Sequence, residues 1–180
     1  MSILVTGGTG FVGLNVIEAL LNRGEHVVVI DRRALPQAFL NANDSKRNLV
    51  SLELGDVCDR EFVDGVFRRH VISHVFLAAA ITAGPSRELA DPHSVVEVNL
   101  LGNLNVLQAS AQANVRRVVF PSSLTVYGAS LFDRIVCQEA STPPIPEGLY
   151  GITKYAGERL VLRMASLHRS LCTARLTPWQ

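Results

Sequence analysis

The sequence predicts a doubly wound α/β fold, in which helices cover both faces of a parallel sheet. Short runs rich in β-branched residues alternate with longer segments of helical period, as they do in successive βαβ units. The expected strands are mostly continuous apolar stretches, which is typical of strands buried on both faces. They lie near residues 2–6, 26–31, 50–54, 73–79, 116–121 and 171–176.

The first two connections differ in character. A helix is expected over residues 11–23, ending at Gly24, because glycine suits the left-handed conformation that closes many helices. Residues 32–49 contain a proline, three asparagines and only weak periodicity. This composition predicts a mobile connection with at most a short helix.

Two longer helices are expected later in the chain. Asp91 followed by Pro92 combines an N-cap residue with a proline in the first turn, which predicts a helix over residues 91–114. A second helix is expected over residues 150–168. The proline-containing segment between them, residues 128–148, is predicted to be a loop over the site rather than a domain linker.

Length and composition limit the classes of function. A chain of 180 residues that is 48% hydrophobic is expected to form one domain over residues 1–180, with no second domain. The net charge is +1, with 17 basic and 16 acidic side chains distributed along the chain, which predicts no binding to nucleic acid. No apolar run is long enough to cross a membrane as a helix. The expected partner is therefore a small molecule.

The termini and cysteines predict a cytoplasmic protein. Met1 leads almost directly into the first turn, which leaves no room for a secretory signal. The three cysteines, at positions 58, 137 and 172, lack the spacing of a disulfide framework and suit a reducing compartment. His70 and His74 have metal-like spacing, but no carboxylate or cysteine completes a set, so no metal site is predicted.

A glycine-rich turn follows the first predicted strand and opens the first predicted helix. Its sequence, GGTGFVG, satisfies G-x-G-x-x-G at Gly8, Gly10 and Gly13, in the strand–turn–helix context that dinucleotide binding requires. Glycine permits the tight turn, the approach of a diphosphate and close packing of helix on strand. The free amides and the positive end of the helix dipole would hold the diphosphate. The predicted binding residues in this turn are Gly7, Gly10, Phe11, Val12 and Gly13.

An acidic residue closes the second predicted strand. The number of residues between the glycines and Asp31 is close to that at which a carboxylate binds the adenosine ribose in such folds. The same carboxylate would repel a 2′-phosphate. NAD is therefore favoured over NADP. Arg32 and Arg33 follow directly and could neutralise such a phosphate, although a solvated strand end would have the same appearance. Asp31 and Arg32 are predicted to contact the cofactor.

Several motifs follow one another along the chain, namely TGGTGFVG (6–13), Asp31, GDV (55–57), LAAA (77–80), VNLLGNLNVL (98–107), SSLTVYG (122–128) and YGITK (150–154). In this order they resemble the motifs of the extended short-chain dehydrogenase/reductase family, which includes the NAD-dependent epimerases and dehydratases and has a Rossmann fold. The resemblance covers nearly the whole chain. It implies that Asp56 and Val57 flank the adenine, that Ala78, Ala79 and Ala80 lie beside the ribose and nicotinamide, and that Asn99 lies beside the site. Alanines at a buried strand end are also ordinary packing, and a buried asparagine can simply cap backbone groups.

Tyr150 and Lys154 are four residues apart on a predicted helix, so both side chains project from one face. An ammonium beside a tyrosine favours the ionised phenol. The resemblance implies that Lys154 also binds the nicotinamide ribose and that Ser123 binds the reacting substrate oxygen. With these three residues, Tyr150 would exchange a proton with the substrate hydroxyl while hydride moves between the carbon and the cofactor. Ser122 is the weaker candidate for the serine role, and Tyr127 is expected to be structural.

The residues after Ser123 narrow the chemistry that the resemblance implies. Relatives that dehydrate or decarboxylate sugar nucleotides usually place an acidic residue where this chain has Leu124 and Thr125. Oxidation, reduction or epimerisation of a nucleotide sugar or related polyol fits better, and epimerase and dehydrogenase both remain open. The alternative is a cofactor-binding, redox-sensing regulatory module without turnover.

Two further expectations follow from the resemblance. Complete members of the family continue beyond the last predicted strand into a segment that closes the substrate pocket. That C-terminal, substrate-binding portion is expected to be missing here, so cofactor binding should survive better than turnover. The apolar-rich helices over 91–114 and 150–168 predict a homodimer.

Overall fold

The computed structural model describes residues 1–131, residues 136–168 and one further strand. This part of the chain forms a six-stranded, fully parallel sheet with the strand order β3-β2-β1-β4-β5-β6. The strand order reverses between β1 and β4, which makes the carboxyl ends of these strands the point where ligands bind in such sheets. The strands are β1 (Ser2–Thr6), β2 (His26–Asp31), β3 (Val50–Leu54), β4 (Ile72–Leu77), β5 (Arg117–Pro121) and β6 (Cys172–Leu176).

Helices connect the strands and cover both faces of the sheet. The α-helices are α1 (Phe11–Asn22), α2 (Gln37–Ala42), α3 (Arg60–Arg69), α4 (Pro85–Ala90), α5 (Pro92–Val96), α6 (Asn103–Gln112) and α7 (Leu149–Leu167). A π-helical turn, Glu97–Gly102, joins α5 to α6. Short 3₁₀ segments cover Asp44–Leu49 and Leu124–Leu131, and the second is interrupted at Gly128.

The core consists of two apolar layers, one on each face of the sheet. Neighbouring residues of β2 alternate between them, with Val27 and Val29 in the layer under α1 and Val28 and Ile30 in the opposite layer. All four side chains are at most 1% exposed. This two-sided burial explains why the strand has a continuous apolar run, and it makes the fold a Rossmann-type doubly wound sheet.

The six predicted strands and the helices over 11–23 and 150–168 are confirmed to within about two residues at each end. β4 ends two residues earlier than predicted, because the Ala79 N–H donates to Thr6 Oγ1 instead of continuing the ladder (3.2 Å). The predicted helix over 91–114 begins at Asp91, whose Oδ1 accepts from the Ser94 N–H (3.1 Å), but the π-turn interrupts it.

Two connections differ from prediction. Residues 32–49 form two short helical segments, α2 and the 3₁₀ segment, where at most one was expected. Helix α4 was not predicted, although Gly84 followed by Pro85 is a sequence signal for a helix start. Within the predicted loop over 128–148, the 3₁₀ segment continues to Leu131, and residues 136–148 contain no helix or strand. Residues 132–135 of that loop lie outside the described residues.

Candidate cofactor cleft and active site

Glycine at positions 7 and 13 allows the turn after β1 to pack backbone against backbone. Gly7 has a φ of +67°, and a Cβ there would lie 2.7 Å from the backbone of Ala79 at the end of β4. A Cβ on Gly13 would lie 2.4 Å from the carbonyl oxygen of Gly7. No larger residue fits either position, so the start of α1 is held directly above the end of β1.

The N-terminus of α1 presents its amides without a side-chain cap. Gly10 is the N-cap residue, and because glycine has no side chain, no side-chain hydrogen bond caps the helix. The side chains of Phe11 and Val12 are 85% and 48% exposed. The cofactor binding predicted for these two residues would therefore be through their backbone amides. Uncapped amides at the positive end of a helix form an anion-binding site.

The carboxylate of Asp31 is bound to this turn. Its Oδ2 accepts from the Thr9 N–H (2.9 Å) and its Oδ1 accepts from the Arg33 N–H (3.1 Å). Each carboxylate oxygen has a second acceptor site, so both can still accept a ribose hydroxyl. The Thr9 hydroxyl is buried and has no hydrogen-bond partner among the described residues, which leaves a polar atom in the turn for a ligand to satisfy.

A cleft of about 500 Å³ opens at the switch point between β1 and β4. This volume is in the range of small-molecule and cofactor sites. Together with the glycine turn and the uncapped amides, it fits a dinucleotide. Residues predicted from the sequence line much of it, namely Gly7, Asp31, Arg32, Asp56, Val57, Ala79 and Ala80. The cleft is also lined by residues that were not among the predicted site residues, namely Ile30, Gly55, Ile81, Arg87 and Val98.

Asp56 and Val57 form the wall of the cleft that follows β3. Arg32 and Asp56 form an exposed ion pair (3.7 Å), and Asp56 Oδ1 accepts from the Cys58 N–H (2.9 Å). Val57 is 6% exposed and packs closely against Gly102, where a Cβ would lie 2.6 Å from Val57 Cγ2. Burial, reinforced by Asp56, raises the pKa of the Cys58 thiol to about 12, so this thiol remains protonated.

Asn99 links the opposite wall of the cleft to α7. Its side chain is buried in the π-turn, and its Oδ1 accepts from the Ile81 N–H (2.7 Å). Its Nδ2 donates to the Ile81 carbonyl (3.1 Å) and to Thr153 Oγ1 (3.0 Å). Asn99 thus caps the backbone groups of Ile81, which is one of the two roles that the sequence left open for it. Ala78 does not line the cleft, and contact of Asn99 or Ala78 with a cofactor remains a prediction.

Lys154 is buried between α7 and β5. It is 4% exposed, its Nζ donates to the Pro121 carbonyl (2.8 Å), and Nζ lies 4.9 Å from the centre of the Phe120 ring. Nζ also lies 5.7 Å from the centre of the Tyr150 ring, which places both predicted residues on one face of α7. Burial lowers the pKa of Lys154 to about 8, since the charged form is poorly solvated there.

Ser123 lies just beyond β5, in a turn that packs against α7 beside Tyr150. Its Oγ accepts from the Thr125 N–H (3.2 Å) and from Thr125 Oγ1 (2.9 Å). A Cβ on Gly151 would lie 2.5 Å from the Thr125 carbonyl oxygen, so glycine after Tyr150 permits this close approach.

Ser122 and Glu158 form a second link between β5 and α7. The buried Ser122 hydroxyl donates to Glu158 Oε1, which uses its proton and agrees with its lower rank for the substrate-binding role. Tyr127 is also buried, as expected of a structural residue. Glu158 was not identified from the sequence, although it lies one helical turn beyond Lys154.

The two histidines considered for a metal point to separate partners. His70 Nε2 lies 2.7 Å from Glu53 Oε1, and His74 Nδ1 lies 2.9 Å from Ser73 Oγ. In the described part of the chain, no group of three or more His, Cys, Asp or Glu side chains is arranged to hold a metal ion. No helix there is long and apolar enough to cross a membrane.

The parallel sheet, the glycine turn and the cleft at the switch point define the Rossmann class of dinucleotide-binding folds. The chain belongs to the NAD dependent epimerase/dehydratase family, whose family model matches residues 3–179. This membership confirms the family resemblance found in the sequence motifs.

Individual relatives in this family are epimerases of sugar nucleotides. The chain is 34% identical over 161 residues to a UDP-glucose 4-epimerase of Halalkalibacterium halodurans, an alignment covering 89% of this chain and 45% of that protein. It is 35% identical over 171 residues to UDP-glucuronate 4-epimerase 1 of Arabidopsis thaliana, covering 89% and 38% of the two chains. The chain thus spans less than half the length of these relatives.

A solved structure of such an epimerase has the same fold over nearly the whole of this chain. The crystal structure of the Thermus thermophilus UDP-glucose 4-epimerase in complex with NAD superposes with a TM-score of 0.85 at 33% identity. The match covers 98% of this chain and 54% of that one.

Proposed function

We propose that this chain is the cofactor-binding and catalytic portion of an NAD-dependent epimerase that acts on a nucleotide sugar. The observation that carries the proposal is the arrangement of three elements beyond the carboxyl ends of the strands. The cleft opens beyond β1 to β4, α7 brings Tyr150 and Lys154 together, and the turn bearing Ser123, which follows β5, packs against α7 beside Tyr150. Ser123, Tyr150 and Lys154 are not among the residues that line the cleft itself. The epimerases related to this chain support the choice of substrate class.

The chain's own residues have distinct parts in this reaction. The amides at the start of α1 bind the diphosphate, and Asp31 accepts hydrogen bonds from the adenosine ribose. Tyr150 removes the proton from the substrate hydroxyl and returns it later, while Ser123 donates a hydrogen bond to the substrate oxygen. Lys154 holds the end of β5 in place through the Pro121 carbonyl, and we propose that it binds the nicotinamide ribose beside Tyr150. When bound, NAD supplies the site at which hydride is temporarily stored.

Epimerisation fits the residues around Ser123 better than elimination does. Leu124 and Thr125 follow Ser123, and neither can act as the carboxylate base or acid that removal of water requires. The remaining chemistry is oxidation to a ketone and its reduction, which inverts a carbon when hydride returns to the other face.

The preference for NAD over NADP rests on Asp31. Its two oxygens face the turn and the following backbone, and a 2′-phosphate on the ribose would meet this negative charge. Arg32 is already paired with Asp56, so it is less able to neutralise an additional phosphate.

Calorimetry and a hydride-transfer assay on the purified chain test the proposal. We expect NAD⁺ to bind more tightly than NADP⁺, and UDP-glucose to reduce the bound NAD⁺, read as absorbance at about 340 nm. Tyr150→Phe should slow this reduction by about 100-fold or more with little change in NAD⁺ affinity. Tyr155→Phe, a second tyrosine on α7, is the matched control and should retain the rate.

The outcomes separate the parts of the proposal. Failure to bind NAD⁺ would overturn the cofactor assignment. Binding without reduction by UDP-glucose would overturn the epimerase assignment for this chain. Equal rates in the Tyr150→Phe and Tyr155→Phe proteins would remove Tyr150 from the reaction.

Homodimer formation through α7 is also proposed. An apolar groove of about 550 Å³ lies beside α7, lined by residues that include Leu100, Ile152 and Leu160. Ile152 is 45% exposed, and a second copy would cover it. Light scattering should give a dimer that Ile152→Glu dissociates, while Leu89→Glu, on the exposed face of α4, should leave it intact. A monomeric wild-type chain would refute this proposal.

A single dinucleotide-binding domain in the cytoplasm is the setting we propose for this activity. Within the described residues, Cys58 and Cys137 are free thiols, which supports a reducing compartment. Fractionation of cells that express the protein would test this location, and recovery in a secreted or membrane fraction would contradict it.

A further inference from the structure

The hydroxyl of Ser123 accepts two hydrogen bonds, and both come from Thr125. The donors are the Thr125 backbone N–H (3.2 Å) and the Thr125 hydroxyl (2.9 Å). A serine hydroxyl has two acceptor sites and one proton to donate. Because Thr125 fills both acceptor sites, the Ser123 hydroxyl can take part in a further hydrogen bond only by donating its proton.

This arrangement also strengthens the bond that Ser123 can give. A hydroxyl that accepts hydrogen bonds is polarised, and its own proton becomes a better donor. We propose that Thr125 is a positioning residue that holds Ser123 as a hydrogen-bond donor to the ketone form of the substrate. The inference rests on the proposed function, since it assigns the polarity of the same site.

The ketone and alcohol forms of the sugar make different demands on Ser123. A ketone oxygen can only accept a hydrogen bond, whereas an alcohol oxygen can accept or donate. If Ser123 loses its fixed polarity, an alcohol can still pair with it in the reverse direction, but a ketone cannot. Thr125 therefore favours the ketone selectively, which holds the sugar in the site until hydride returns.

The location of Thr125 makes a clean substitution available. The side chain is exposed, and it is the Thr125 backbone that packs against Gly151. Thr125→Val keeps the branched shape and the backbone N–H and removes the hydroxyl donor. Thr125→Ser keeps the hydroxyl and removes only a methyl group, so it is the matched control.

Equilibrium binding of a matched pair of ligands tests the proposal. The ligands are UDP-4-keto-6-deoxyglucose and UDP-6-deoxyglucose, which differ only at C4, titrated into NAD⁺-loaded protein. Each Thr125 variant is placed in a Tyr150→Phe background so that turnover does not consume the alcohol. We expect Thr125→Val to weaken binding of the ketone by about three- to ten-fold and binding of the alcohol by less than about two-fold. Thr125→Ser should restore the affinity for the ketone.

Other results would overturn the proposal. An equal loss for both ligands in Thr125→Val would show a merely structural role, and no loss for either would show that Thr125 does not set the polarity of Ser123. If the Tyr150→Phe protein with Thr125 intact bound neither ligand, the proposed function would fail and this inference with it. NAD⁺ affinity, measured on every variant, should be unchanged and reports that the fold is retained.

Discussion

The glycine turn (residues 7–13) and the α7 corner, where Thr153 and Lys154 of α7 meet Asn99 and Pro121, are shaped by different interactions. At the turn, Gly7 and Gly13 bring backbone against backbone, and their neighbours leave no space for a side chain. At the α7 corner, side chains donate hydrogen bonds to groups distant in sequence, as Lys154 does to the Pro121 carbonyl and Asn99 to the Thr153 hydroxyl. Steric fit therefore defines the cofactor side, whereas polar links between elements define the catalytic side.

The largest effect on cofactor affinity is expected at the turn. In Gly13→Val, the new side chain meets the Gly7 carbonyl, displaces the start of α1 and should weaken NAD⁺ binding by at least about 100-fold, equal to about 2.7 kcal/mol. Calorimetry measures this loss. Gly24→Ala is the control, because Gly24 also has a positive φ (+76°) but has open space around its Cα. It should lose about 1 kcal/mol of stability without losing NAD⁺ affinity, and a normal affinity in Gly13→Val would contradict the steric account.

A polar link should be broken by Asn99→Leu. The change leaves the Ile81 N–H, the Ile81 carbonyl and the Thr153 hydroxyl without the hydrogen bonds that Asn99 now makes to them. This loss should lower the unfolding free energy by about 4 kcal/mol. Urea denaturation provides the measurement. Asn15→Ala removes an exposed hydrogen bond to the Phe11 carbonyl and should cost less than about 0.5 kcal/mol. Similar losses in both proteins would show that Asn99 contributes no special link.

The buried ammonium predicts a pH dependence of opposite sign to that of an ion-paired lysine, whose pKa is raised by folding. The pKa of Lys154 is lowered from 10.5 to about 8, so the folded state binds fewer protons than the unfolded state between these values. The contribution of Lys154 to stability therefore rises as pH increases from about 8 to 10.5, by about 3 kcal/mol. Below pH 8 its charged form opposes folding.

Lys154→Met isolates this effect. Denaturation of both proteins across this range should show that the free energy of unfolding of the wild type rises by about 3 kcal/mol relative to that of the variant as the pH increases. Lys46→Met, at the other lysine in the sequence, is the control, because Lys46 is less buried than Lys154 and its Nζ donates to Asn22 Oδ1. A pH-independent difference between wild type and Lys154→Met would refute the predicted shift.

The smallest of these effects concerns cofactor choice. Asp31→Asn removes the charge and one acceptor oxygen while an amide oxygen can still accept from Thr9. NAD⁺ affinity should fall about ten-fold, equal to about 1.4 kcal/mol, and the preference over NADP⁺ should narrow. Titration with both cofactors measures this. An unchanged preference would show that Arg32 or another residue selects the cofactor.

Local signals explain which parts of this molecule the sequence predicted. Apolar runs located the strands, and the spacing of glycines located the turn, because both depend on neighbours along the chain. Tyr150 and Lys154 were recognised from one helical turn. The links made by Asn99 and Glu158, and the arrival of Ile81 and Arg87 in the cleft, depend on which elements meet in space. The π-turn that carries Asn99 had no signal that periodicity could detect.

The contact between Gly7 and Ala79 has a consequence for the speed of cofactor capture. Because the floor of the cleft is two backbones in direct contact, the turn has little room to rearrange when a ligand arrives. Little conformational entropy then remains to be lost on binding. We expect association to follow simple one-step kinetics without a slow adjustment phase, so that differences in affinity among variants lie mainly in how long the cofactor stays.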